Sequence, residues 1–489
     1  MKFFIQFFLC GILTSFLFPP FFLTPLGFII FPYLFYLLNH KEYLSFKYYT
    51  HFISGFIYGL GFFYIYLGWI KEPFLIDSLT KNYSIFSYLL VFYCSLYFGF
   101  IFLFIKYFNK INLKYFALPA LIILSEFFCA NFAYGFPWFS FSLINSGNNL
   151  GTSIIYYFGT YGLSYISILI FLFPSIFIFK EIKFKKIITI IYFIIFIIFI
   201  FLIIFRSKVL VNSENQTLSI SLVQLNFSNH IGMDKNELII KQKDILKTIK
   251  ENNSELIIFA ENNFPFQMQI RDIDFLQEVI KVNKNIIIGS TRKENDKFYN
   301  SFFLINKKIY KKFDKQILVP FGEFIPLRGI FNFMKYIAGS EDFSSGKDKR
   351  QIILNDKIKI LPIICYEIIY FWRLLNKENF DSNIMVNLTN DSWFGKFSGP
   401  YQHFYFSKLR AAEFNKPLIR VSNNGVSAVI DNYGNVVDFI ELNKKETKNI
   451  KISISNFTNN HLHKHKFTLI LIFLSLLFQI LINNKNDYR

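Results

Sequence analysis

The chain has 489 residues, of which 53% are hydrophobic, 21% aromatic and 17% charged, with a formal net charge of +19. So small a charged fraction, against the roughly 25% usual in soluble domains, excludes a single water-soluble domain, and the apolar excess excludes disorder. Four cysteines (Cys10, Cys94, Cys129, Cys365) are too sparse for a disulfide scaffold, and 52 basic residues comprising 43 Lys and nine Arg do not read as a nucleic-acid surface, where Arg forks usually lead.

Seven apolar segments precede residue 206, at 3–18, 21–38, 52–70, 84–105, 115–134, 162–179 and 187–205, and an eighth lies at 467–482. About 20 apolar residues span a bilayer, so the pattern predicts a polytopic α-helical membrane bundle of about eight helices. The first segment runs into Pro19-Pro20 and more apolar sequence with no small-residue cleavage site, unlike a secretory signal. With the N-terminus in the cytoplasm, the cytoplasmic loops and tail hold twelve basic residues, from Lys2 to Arg489, while the opposite short loops hold only Lys71 and Lys81. That asymmetry follows the positive-inside rule and places both termini in the cytoplasm.

Between residues 206 and 466 the apolar runs shorten and charges become frequent. Strands are expected at LSISLVQLNF (218–227), ELIIFA (255–260), NIIIGS (285–290), FYNSFFLI (298–305), IKILPIIC (358–365) and NIMVNL (383–388). Helices are expected from Asp234 to Lys250, where Asp234 and Glu237 suit a capping box, and near 272–282. The alternation predicts an α/β domain with parallel strand pairs, placed outside the cytoplasm by the parity of the spans. The domain plan is therefore 1–205, a seven-helix bundle; 206–466, the globular domain; and 467–489, a last membrane helix and cytoplasmic tail.

Reactive groups in α/β sheets gather at the carboxyl ends of strands. Here those ends deliver Glu261, then Cys365 followed by Tyr366 and Glu367, then Thr389-Asn390-Asp391; the stretch FDKQILVPFGEFIP adds Lys315 and Glu323. A thiolate is the nucleophilic form of cysteine, a carboxylate can take its proton, and an ammonium can stabilise the oxyanion, so Glu, Lys and Cys suffice for acyl transfer. No zinc spacing or phosphate-cradling glycine loop is present, and HLHKH (461–465) reads as a solvated juxtamembrane stretch. Neither a metal nor a cofactor is expected. Glu126 is the main charge within the spans, with a functional role and an interhelical hydrogen-bonding role both open. Residues 324–345, FIPLRGIFNFMKYIAGSEDF and its flanks, suit either an amphipathic helix packed on the core or an apolar lid that guides acyl chains through Phe331, Phe333 and Met334.

At these residues the chain resembles the nitrilase (carbon–nitrogen hydrolase) fold and, within it, the apolipoprotein N-acyltransferase family. The resemblance rests on DKQILVPFGEFIP (314–326), ICYE (364–367), NDSWFGKFSGPYQHFYFSKLRAAE (390–413), RVSNNGVSAVID (420–431), GFIYGLGFFYIYLGWI (55–70) and GFPW (135–138). It implies a nitrilase-like α/β sandwich in the periplasm of a bacterial inner membrane, with Glu261 as general base, Lys315 as oxyanion-stabilising cation and Cys365 as nucleophile. It further implies that Glu323 holds the active-site network, that Tyr366 and Glu367 flank the nucleophile with the Tyr366 amide as an oxyanion donor, and that Trp138 lies near substrate access. Two positions depart from the family pattern: Ala260 stands where Pro usually precedes the base, and Met233 where some members carry Trp.

The implied activity moves a fatty acyl chain from a phospholipid, through a thioester on Cys365, to the α-amino group of the diacylglyceryl-cysteine of an apolipoprotein. The alternative is a membrane-anchored amidase with the same triad, which would have no use for a lipid-facing bundle. A transporter is disfavoured by the near absence of charge and of repeats in the spans.

Overall fold

The computed structural model describes residues 1–78, 80–180, 182, 185–209, 216–228, 234–331, 334–335, 341–454 and 463–485. Met233 and Phe333 lie outside the described residues. The chain forms two compact units: Met1–Ile70, Ile85–Val211 and His463–Arg489 make the first, and Lys71–Ser84 with Asn212–Leu462 make the second.

The first unit is helical. Helices Lys2–Ser15, Gly27–Asn39, Tyr48–Tyr66, Ser87–Ile105, Ile111–Asn131, Asn149–Leu172, Lys185–Val209 and Lys464–Lys485 overlap the eight apolar segments, the sixth starting at Asn149 rather than near residue 162. Among the described residues, four helical stretches are long and apolar enough to cross a membrane, or five if the bent pair Tyr48–Tyr66 and Gly68–Leu75 counts as one, while Lys2–Ser15 and Thr24–Asn39 are shorter. Small residues let these helices approach closely, as expected where lipid offers no hydrophobic drive: a Cβ on Gly11 would run into the Tyr58 carbonyl. Glu126 accepts from the Phe141 amide (2.6 Å) and from the Ser164 and Ser140 hydroxyls (3.0 and 3.3 Å), so it ties the loop after residue 135 to helix Asn149–Leu172. Cys10, Cys94 and Cys129 are free thiols buried in helices.

The second unit is a sandwich of two mixed six-stranded sheets. The first contains β1 (Gln216–Gln224), β2 (Leu256–Phe259), β3 (Asn285–Glu294), β4 (Lys297–Asn306), β5 (Tyr310–Asp314) and β12 (Glu446–Ile454), in the order β12-β1-β2-β3-β4-β5. The second contains β6 (Ile352–Asn355), β7 (Ile358–Ile364), β8 (Ile384–Thr389), β9 (Leu418–Ser422), β10 (Ser427–Ile430) and β11 (Val436–Ile440), in the order β11-β10-β9-β8-β7-β6. Parallel pairs are present, as the alternation predicts: β1–β2, β2–β3, β7–β8 and, with a strand at β9 outside those expected, β8–β9; the outer pairs are antiparallel. Central strands such as β2 and β8 are buried along their whole length, which is why they read as continuous apolar runs without alternation. On β2, Ile257 and Phe259 pack with Ile245 and Ile249 of helix Lys235–Glu251 and with Ile273 and Leu276 of helix Ile270–Val279.

Two local expectations are corrected. Asp234 is the N-cap of helix Lys235–Glu251, but its side chain makes no capping bond and accepts instead from Asn236 Nδ2 (3.0 Å). The capping box forms at the next helix, where Asp272 accepts from the Gln269 amide (2.9 Å). Residues 324–345 are not one amphipathic helix: their described part contains the short helix Arg328–Phe331, after Pro326 and a positive φ at Leu327 have broken the chain. Asp342 then accepts from the Ile325 amide (3.0 Å) and pairs with Arg328, and Phe343 bridges to Phe298 at the start of β4. Phe331 and Met334 join Phe74, Tyr83, Phe321 and Ile325 in a small apolar cluster, with Ile330 and Leu327 exposed beside it.

Candidate active site

Three strand ends converge. After β2, Ala260 and Glu261 turn against β3, where the Gly289 amide donates to the Ala260 carbonyl (3.1 Å). Only glycine fits there, because a Cβ on residue 289 would lie 2.6 Å from Glu261 Cα and 2.8 Å from the Ala260 oxygen. Lys315 follows β5, its amide donating to the Asn300 carbonyl on β4 (2.8 Å). Cys365 follows β7 with φ of +50° and opens the short turn Cys365–Ile369. That left-handed conformation is disfavoured for any residue with a Cβ and presents the side chain on a sharp bend.

The side chains meet in a site shut off from water: Glu261, Lys315 and Cys365 are 5%, 1% and 6% exposed. Lys315 Nζ lies 2.8 Å from Glu323 Oε1 and 3.8 Å from Glu261 Oε1. Asn300 Nδ2 donates to both carboxylates, at 2.7 Å to Glu261 and 3.0 Å to Glu323, and the second oxygen of Glu323 accepts from the Val319 amide (2.9 Å). The buried Glu261 and the partly buried Glu323 are thus bridged by one ammonium and one amide. Sequence reasoning missed Asn300, although a lone Asn inside the apolar strand FYNSFFLI was the available signal.

The surroundings shift all three groups. Burial raises the Glu261 carboxyl above its ordinary range, Lys315 works against that rise, and Glu323 adds to it. Burial would depress the Lys315 ammonium, but Glu323, Glu261 and Cys365 together hold it well above its usual value. Burial, reinforced by the Glu261 charge, pushes the Cys365 thiol up despite Lys315 and Thr389. Burial thus favours the thiol over the thiolate at Cys365 and makes Glu261 a stronger base than an exposed glutamate, the direction a general base needs.

Glu367 is buried and binds on five sides. It accepts from Arg350 Nη1 and Nη2 (both 2.8 Å), and from the amides of Gln316 (2.8 Å), Ile317 (3.1 Å) and Ile364 (2.9 Å). It thereby joins the chain just after Lys315 to the chain just before Cys365. Tyr366 is buried edge-on to Tyr370, whose hydroxyl donates to it (3.2 Å). Beneath the Cys365 backbone lies a further buried layer. His403 Nε2 donates to the Cys365 carbonyl (3.2 Å), His403 Nδ1 is 2.9 Å from Asp391 Oδ1, and Arg420 Nη2 donates to Asp391 Oδ2 (2.6 Å). Burial opposes the Asp391 charge, but Arg420 and His403 hold its carboxyl at about 2. Trp138 belongs to the first unit, fully buried against Trp69 (centroids 4.5 Å apart), with its carbonyl accepting from the Tyr66 hydroxyl (2.7 Å). Among the described residues no group of three or more His, Cys, Asp and Glu side chains could hold a metal ion.

The two-sheet sandwich falls in the carbon–nitrogen hydrolase class: the profile of the carbon-nitrogen hydrolase family matches residues 219–457. A solved CN-hydrolase superfamily protein from Xanthomonas campestris covers 53% of this chain and 97% of its own, at 17% identity and a TM-score of 0.36. The apolipoprotein N-acyltransferase N-terminal domain profile matches residues 10–173. An apolipoprotein N-acyltransferase from Rickettsia typhi is 31% identical over 459 residues, 89% of each chain. Another, from Haemophilus influenzae, is 28% identical over 450 residues, covering 87% of this chain and 84% of its own. The chain belongs to the apolipoprotein N-acyltransferase family and is an acyltransferase.

Gly289→Ala should test how tightly Glu261 is placed. The new Cβ meets backbone on both sides, so Glu261 must move, and a shift near 1 Å can cost about a hundredfold in rate. The expected result is a kcat loss of that order with the circular dichroism spectrum preserved.

Proposed function

We propose that the chain takes a fatty acyl group from a membrane phospholipid and transfers it to the α-amino group of the diacylglyceryl-cysteine that begins an apolipoprotein. Glu261 takes the Cys365 proton and the thiolate attacks the ester carbonyl. Lys315 and the Tyr366 amide stabilise the tetrahedral oxyanion, which collapses with loss of the lysophospholipid alkoxide. Glu261 returns its proton to that alkoxide, leaving an acyl-thioester on Cys365. The α-amino group of the second substrate then attacks the thioester and gives up a proton to Glu261. The thiolate leaves and is reprotonated, so the enzyme returns unchanged. Glu323 holds Lys315 and Asn300, Glu367 holds the nucleophile turn, and no cofactor takes part.

The observation that carries this reading is the enclosed set of Glu261, Lys315 and Cys365, with the thiol protonated beside a basic carboxylate. Enclosure also suits a thioester that must meet an amine before it meets water. In this reading the eight helices all cross the membrane, with 1–205 as the bundle, 206–466 as the catalytic domain in the periplasm, and 467–489 as the last span and tail. Both termini lie in the cytoplasm of the inner membrane, supported by the twelve-to-two basic asymmetry. Phe331, Phe333 and Met334 contact acyl chains, and Trp138 lines the path from the bilayer.

Mass spectrometry of protein purified from its membrane tests the reading. The expected finding is a fatty-acyl mass on the Cys365 peptide, released by hydroxylamine and transferred to a diacylglyceryl-cysteinyl peptide. An unmodified Cys365 would overturn it, and release to water alone would mark an amidase instead.

A further inference from the structure

We propose that His403 is a positioning residue, which aims the Tyr366 amide at the oxyanion by anchoring the Cys365 carbonyl. This rests on the reading above, in which Cys365 carries the acyl group. The Cys365 carbonyl and the Tyr366 amide are the two ends of one planar trans peptide and point in opposite directions. Whatever fixes the carbonyl oxygen therefore fixes where the N–H points. The peptide needs such an anchor, because Cys365 at φ +50° sits in the left-handed region that is disfavoured for a residue with a Cβ.

The anchor is His403 Nε2, 3.2 Å from the Cys365 oxygen, seconded by Asn387 Nδ2 at 3.5 Å. A carbonyl only accepts, so Nε2 carries the hydrogen. Nδ1 lies between Asp391 Oδ1 at 2.9 Å and Arg420 Nη2 at 3.2 Å. A charged ring donates to the first and a neutral ring accepts from the second, and Nε2 is a donor in both states. The ring is locked in turn: Asp391 also accepts from Arg420 (2.6 Å) and Thr389 (3.1 Å), and Arg420 donates to Asn387 Oδ1 (2.9 Å) and the Val426 carbonyl (3.1 Å). Asn387, Asp391, His403 and Arg420 are all fully buried, so no water can replace a lost bond. The acyl-transfer steps use none of these four side chains directly.

The test is isotope-edited infrared spectroscopy of the protein acylated from a phospholipid labelled with carbon-13 at the acyl carbonyl. In the native protein the thioester stretch is expected below that of a free thioester, because aimed donors polarise the carbonyl. His403→Asn keeps an amide facing Asp391 but is too short to reach the Cys365 oxygen. It is expected to return the stretch toward the free value and lower kcat about tenfold or more, less than the 10²–10³ of losing an oxyanion donor outright, with KM little changed. His403→Gln places an N–H near the old Nε2 position and is expected to restore both readouts. An unmoved stretch in His403→Asn, or a His403→Gln that behaves like His403→Asn, overturns the proposal. Should His403→Asn not fold, the native stretch decides, since a value equal to that of a free thioester leaves no aimed donor to explain. If native Cys365 carries no acyl group at all, the reaction is misassigned and this inference falls with it.

Discussion

Lys315→Met is expected to lower acyl-enzyme formation by about a thousandfold or more, the upper end of what one lost oxyanion contact gives, because this ammonium supports three groups at once. It faces Glu323 at 2.8 Å and Glu261 at 3.8 Å, and its charge is what holds the Cys365 thiol below an even higher value. Without it, the buried Glu261 and the partly buried Glu323 share only the Asn300 amide, and their mutual repulsion favours proton uptake by the more buried Glu261. Glu261, already raised by burial, rises further, so a larger share of it is protonated and unable to accept the thiol proton. The residual rate should therefore climb more steeply with pH than the native rate. Removing one partner of a buried ion pair costs about 3–5 kcal/mol, and proton uptake by the carboxylates offsets part of that. Single-turnover acylation, followed by mass on Cys365 between pH 6 and about 9 to bracket the usual thiol value, checks both the size and the slope. A variant that acylates at the native rate would remove Lys315 from the chemistry.

Glu261 and Cys365 could be placed from sequence because strand ends are legible: short apolar runs mark β2 and β7, with Glu261 two residues past the first and Cys365 directly after the second, whereas Lys315 stood out through the stretch FDKQILVPFGEFIP. The membrane helices were legible for a similar reason, since length and apolarity are local properties. The residues that hold the site act over long sequence separations, and nothing local marks them. Asn300 reaches Glu261 from the middle of an apolar strand, and His403 reaches Cys365 from helix Ser398–Phe414. Arg420 sits inside PLIRVS with its charge fully buried, a polar interruption that sequence could flag but not pair. Local rules also failed where two options compete. Asp234 found a side-chain partner in Asn236, so the capping box it suits never formed. The amphipathic pattern after Pro326 lost to a positive φ at Leu327 and to the Asp342 contacts that bring the chain back to β4.

Glu367→Gln is the second large effect expected, and it separates a holding role from a chemical one. Each Glu367 oxygen faces donors only: Arg350 Nη2 and the Gln316 and Ile317 amides on one side, Arg350 Nη1 and the Ile364 amide on the other. A glutamine must turn its own NH₂ toward one of these sets, and it leaves the Arg350 charge buried without a counter-charge. Breaking such a pair costs about 3–5 kcal/mol, so the denaturation midpoint should fall by a corresponding amount. Activity should fall with it, since the bonds lost are those that join the Lys315 loop to the Cys365 turn. The pH dependence carries the diagnosis. Burial would raise the Glu367 carboxyl, but Arg350 and the backbone amides hold it below its ordinary value. A group depressed in the folded state contributes its full stability above its unfolded value of about 4.3 and loses it as pH falls through the lower folded value. The native protein should therefore weaken progressively below about pH 4.3, and Glu367→Gln should be less stable at neutral pH yet flatter in acid. Equal acid slopes in the two proteins would show that Glu367 is not held ionised by Arg350, and the link between the lysine loop and the nucleophile turn would need another support.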